Sequence, residues 1–91
     1  MKVFYVKSTH RGHETIWGGT LDYLKEIVFG YTLDCGRSWN SKINPNPKTI
    51  KSLITALNKS ADECRRYDDF YEISSKEEFD NASENNKREM D

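Results

Sequence analysis

Ile50, Leu53, Ile54, Leu57, Ala61 and Cys64 recur at spacings of 3, 1, 3, 4 and 3. That period belongs to a helix with a single apolar face. A helix of this kind buries its stripe only by lying on another element, so it dictates a second layer. Asn46 followed by Pro47 supplies the start: asparagine caps, and proline in the first turn gives up no needed N–H. The expected helix covers 47–66. Its remaining positions include Lys48, Lys51, Lys59, Arg65 and Arg66, which makes the outer face basic.

The other layer is written at the two ends. Residues 2–7 are rich in β-branched and aromatic side chains, with Val3 and Tyr5 on one face and Phe4 and Val6 on the other. Ser8 to Gly12 reads as a turn, and 13–17 alternates again, with His13, Thr15 and Trp17 opposite Glu14 and Ile16. Gly18-Gly19 closes this strand and Thr20 is a fitting helix cap. Leu21, Leu24, Val28 and Tyr31, with Ile27 alongside, form a first helical stripe that ends at Gly30 or runs on to Gly36. Residues 36–47 form the main loop, and 69–74 reads as a third strand around Phe70, Tyr71 and Ile73.

The order β-β-α-α-β predicts an α+β domain over 1–74, a three-stranded antiparallel sheet with both helices on one face. Its predicted core is Phe4, Val6, Ile16, Leu21, Leu24, Val28, Ile50, Leu53, Ile54, Leu57, Phe70 or Tyr71, and Ile73. Residues 75–91 lack periodicity and are expected to be an acidic, disordered tail. A chain of 91 residues holds one domain at most. Two cysteines are fewer than a small secreted scaffold carries, so Cys35 and Cys64 are expected as free thiols in a reducing, cytoplasmic compartment. No run of 18 apolar residues suggests a membrane span.

The formal charge of −1 hides an asymmetry. Residues 1–66 carry 11 Lys/Arg against 6 Asp/Glu, and 67–91 carry 3 against 9. Such a distribution speaks of binding rather than of fold. Chemistry finds little support. His10 and His13 with the two cysteines lack the paired spacing of a zinc site, so neither metal nor other cofactor is expected. Each cysteine ends an apolar stripe and reads as packing, not as a nucleophile. Asp62-Glu63 are helix neighbours that do not face each other. Gly18-Gly19-Thr20 lacks the remainder of a phosphate loop. The chain is therefore not expected to be an enzyme.

The run I-N-P-N-P-K-T-I-K-S-L-I-T-A-L-N-K-S over 43–60, preceded by G-T-L at 19–21 and Y-T-L-D-C-G at 31–36, resembles small accessory proteins encoded by tailed bacteriophages. The resemblance covers about 19–73 and carries over no functional residue. It implies a viral accessory factor, made in the bacterial host cytoplasm, that binds a host protein in takeover or against a defence component. From the residues themselves, Trp17, Arg37, Trp39, Asn40 and Lys42 are the candidate partner contacts, because tryptophan and arginine dominate binding hot spots. The alternative is a nucleic-acid- or nucleotide-binding module using Trp39 with Lys48, Lys51, Arg65, Arg66 and Arg11. Either would act as a monomer or weak dimer.

Overall fold

The two alternating segments at the start of the chain pair with each other. Strand β1 (Phe4–His10) runs antiparallel to β2 (His13–Gly19), with Val6 opposite Trp17 and His10 opposite His13. Only Arg11 and Gly12 connect them, at φ 51° and 78°. Two positive φ values match the twist of a tight hairpin, which is why both strands run further than their apolar cores. The Arg11 N–H donates to the Asp68 carbonyl at 3.2 Å and ties the tip to the start of β3 (Asp69–Ile73). The computed structural model describes residues 1–40 and 45–90.

Strand β3 lies antiparallel beside β1. A further strand, β4 (Lys87–Glu89), lies parallel beside β2, so the sheet is four-stranded and mixed, in the order β3-β1-β2-β4. This corrects the expected three antiparallel strands. The acidic end expected as a disordered tail also carries α3 (Lys76–Asn81) and a 3-10 turn, Glu84–Asn86. Ser75 caps α3 by accepting the Glu78 N–H at 3.1 Å. Phe79, 7% exposed, lies on Tyr5 with ring centroids 5.3 Å apart. Gly18 makes room for that pair, since a Cβ there would stand 2.9 Å from the Tyr5 ring.

The sheet is thus covered on both faces, not one. Phe4, Val6, Trp17 and Tyr71 face the layer of helix α2 (Ile50–Glu63), while Ile16, expected in one core with Phe4 and Val6, is buried on the α3 side. Helix α2 begins three residues later than the Asn-Pro signal. Thr49 is its cap: its hydroxyl accepts the Ser52 N–H at 3.1 Å, and the Ser52 hydroxyl accepts the Thr49 N–H at 3.0 Å. Leu53 and Leu57 are fully buried and Ala61 nearly so.

The first helical stripe departs from its expected phase. Thr20 does cap it, accepting the Tyr23 N–H at 3.2 Å. The chain then forms a π-helical segment, Tyr23–Val28, closed by Phe29 N–H to Leu24 O at 2.9 Å, before α1 (Gly30–Leu33) resumes the tighter winding. The additional residue per turn rotates every later side chain. Leu24, Phe29 and Leu33 are buried, and Ile27 and Tyr31 are pushed out to 74% and 71% exposure. Of the other residues expected in the core, Phe70 and Ile73 are also exposed.

Cys35 and Cys64 form a disulfide, correcting the expectation of free thiols. Their Cα atoms lie 5.7 Å apart, within the ordinary span of such a bond. The argument from free thiols to a reducing compartment falls with them. Beside the bond, the buried Ser60 hydroxyl donates to the Thr32 carbonyl at 2.7 Å.

Strand β3 sits at the edge of the sheet, yet its outer rim is occupied. The Asn58 side chain donates to the Tyr71 carbonyl at 3.0 Å and accepts the Tyr71 N–H at 2.9 Å. One amide on α2 stands in for the neighbouring strand that would otherwise pair there. Asn58→Ala is expected to cost about 1–2 kcal/mol, two hydrogen bonds' worth, and to speed exchange of the Tyr71 amide. An unchanged urea midpoint with unchanged exchange would contradict this account.

Candidate functional site

A groove of about 670 Å³ runs along the flank of α2. The Thr49–Ser52 capping box fixes the phase of the helix. With Leu53 and Leu57 turned into the core, Lys51, Thr55, Ala56 and Lys59 line the groove. The facing wall is the chain leaving α1, including Cys35 and Arg37. The disulfide, the Ser60–Thr32 hydrogen bond and Arg66, whose Nη2 donates to the Thr32 carbonyl at 3.2 Å, fasten this wall to α2.

The groove combines two chemistries. Leu33, Pro45 and Ala56 give it an apolar floor. Arg37, Lys51 and Lys59 supply cations, against the single carboxylate of Glu63, 3.9 Å from Lys59 Nζ. No aromatic side chain is among its described lining.

Of the expected partner contacts, Arg37 lines this groove and is exposed. Trp17 does not reach it. Its indole lies half-buried on the helix-covered face of the sheet, 5.8 Å between centroids from Phe29, and donates to the Ser8 hydroxyl at 2.8 Å. The alternation had placed Trp17 opposite Ile16, but nothing in the sequence marked which face α2 would cover. Trp39 is half-buried against Gly30, with Lys25 Nζ 5.9 Å from its ring centroid. Together with Asn40, Glu26 and Ser38 it lines a separate, shallow depression. Lys42 lies outside the described residues.

The residues proposed for nucleic acid are dispersed. Lys48 and Lys51 stand at the start of α2; Arg65 and Arg66 follow its end, about 20 Å away along the axis. Arg66 is turned inward onto Asp69 (3.3 Å) and Thr32. Arg11, at the hairpin tip, lies 3.9 Å from Asp68. Lys59, absent from both candidate sets, joins Arg37 and Lys51 in the groove; its position in the α2 pattern was the available signal.

The opposite side of the molecule is acidic. Lys7 is surrounded by Glu78 at 3.1 Å, Glu72 at 3.6 Å and Glu14 at 3.9 Å. The Ser74 hydroxyl, then Lys7, hold the Glu78 carboxyl below its usual value, and the hydrogen bond to Glu78 raises Lys7. A lowered carboxyl stabilises the folded form above its unfolded value and loses that contribution as pH falls. Docking of α3 is therefore expected to weaken by less than about 1 kcal/mol as pH drops below 4.5, the unperturbed value. Amide exchange at Phe79 reads it; if Glu78→Gln leaves the pH dependence intact, the ion pair is not its source.

No family model, curated protein or solved structure matches this chain. A reading of its function rests on its own residues. Among the described residues no His, Cys, Asp and Glu group is arranged to hold a metal ion, and no helix is long and apolar enough to cross a membrane. The hydrogen-bonded pair of His10 and Asp69 sits at the hairpin end of the sheet, apart from the groove.

Proposed function

We propose that this chain is a non-enzymatic binding protein, an accessory factor of the kind tailed phages encode, and that it contacts a host protein through the groove beside α2. The observation that carries this reading is the union, in one groove, of an apolar floor and three cations on its walls. An apolar floor supplies affinity and the surrounding charges supply orientation and on-rate. Of the expected contacts, Arg37 lines this groove; Trp17 packs on Phe29 and Trp39 lies against Gly30. The nucleic-acid reading loses its continuous basic stripe, because its residues fall at separate ends of the molecule.

The test is affinity capture from nuclease-treated bacterial lysate with the wild-type chain and with Arg37→Glu/Lys51→Glu. A stoichiometric protein retained by the wild type and lost by the double variant supports the reading. Recovery of nucleic acid alone, falling steeply with added salt, would replace it with the alternative.

A further inference from the structure

We infer that the segment seated in this groove is an acidic stretch of polypeptide with an apolar residue between two carboxylates. The inference rests on the reading of the chain as a protein-binding domain and names the chemistry of its partner. Lys51 and Lys59 are eight residues apart on α2, which separates them by about 12 Å along the helix axis. An extended peptide advances about 3.3 Å per residue and turns alternate side chains to one side. Carboxylates four residues apart therefore reach both lysines, and the residue midway between them faces the floor formed by Leu33 and Ala56.

Arg37 on the facing wall presents a planar fork suited to a carboxylate. Glu63 lies beyond Lys59 and repels any acidic residue placed past that point, which limits the acidic stretch to the span between the lysines. A nucleic-acid strand fits less well. The described lining offers its bases no aromatic ring to stack on, Trp39 is committed to Gly30 and the separate depression, and Glu63 opposes a phosphate backbone.

The probes are the peptide E-S-L-S-E, its relatives E-S-S-S-E and K-S-L-S-K, and a short oligodeoxythymidine. Each is titrated to millimolar concentration against the full chain, with amide chemical shifts as the readout. E-S-L-S-E is expected to shift Arg37, Lys51, Ala56 and Lys59. Loss of the leucine weakens binding about tenfold, and Lys51→Glu/Lys59→Glu does the same. Lys48→Glu/Arg65→Glu, an equal charge change at two residues that do not line the groove, leaves the affinity unchanged. Equal binding of K-S-L-S-K, or stronger shifts of the same amides by the oligonucleotide, overturns the inference. So does the absence of shifts with any peptide. In that case, a lysate partner still lost on Arg37→Glu/Lys51→Glu preserves the protein-binding reading with a different ligand, and a partner captured equally by both chains removes the groove from it.

Discussion

Replacing Cys35 and Cys64 together by alanine is expected to lower the unfolding free energy by about 3.5 kcal/mol, the loop-closure entropy of a cross-link of this span. The bond joins residues 29 apart. In a domain of this size, that loss moves the thermal midpoint down by about 15–25 °C. The cross-link also keeps the denatured chain compact, so the urea m-value should rise once it is removed. Reductant should bring the wild type to the behaviour of the double variant and leave the variant itself untouched. A midpoint indifferent to reductant would show that the packing of α1 on α2 holds without the bond. The groove offers a local readout, because Cys35 belongs to its wall: amides of Leu33 and Arg37 should exchange faster after reduction, while those of β1 stay protected.

That cross-link was invisible in the sequence for a physical reason. Cys35 and Cys64 each end a helical stripe, and a buried cysteine at such a place reads as a small apolar side chain. Only the packing of the two stripes brings their ends together, and packing is not a local property. The α2 pattern was legible because six apolar positions agree on one period and nothing interrupts them. The first helix was legible as a helix but not in phase. Its stripe through Val28 and Tyr31 assumes ordinary winding, and the π segment, which no residue between Tyr23 and Val28 announces, moves burial to Phe29 and Leu33. The site suffered from the same limit. A tryptophan is a reasonable anchor only if it is exposed, and the burial of Trp17 depends on which sheet face α2 covers. Lys51 and Arg37 were named from composition; their meeting in one groove, with Lys59, came from the disulfide-bound wall.

Phe79→Ala is expected to destabilise the protein by about 3 kcal/mol, at the lower end for loss of a buried phenyl ring. The size of that effect follows from how little else holds the acidic end to the sheet. Phe79 is the buried residue of α3; its ring meets Tyr5, and Lys87 Nζ stands 5.1 Å from its centroid. The ion pairs around Lys7 are exposed to solvent and contribute far less. β4 is three residues long, pairs parallel, and is continued by the Met90 N–H donating to the Gly18 carbonyl at 2.9 Å. Removal of the ring therefore leaves residues 76–90 held by hydrogen bonds at a sheet edge, with the half-buried Met90 beside Gly19 as the main remaining apolar contact. Two observables should move together: the urea midpoint falls, and amides of Lys87 and Glu89 lose protection while those of Leu53 and Leu57 keep theirs. Ile16, 6% exposed beneath α3, would then open to solvent and the sheet would offer a bare apolar face. A variant that keeps its midpoint and its β4 protection would mean that the acidic end is held by its charges after all, and the pH dependence assigned to Glu78 would have to be correspondingly larger.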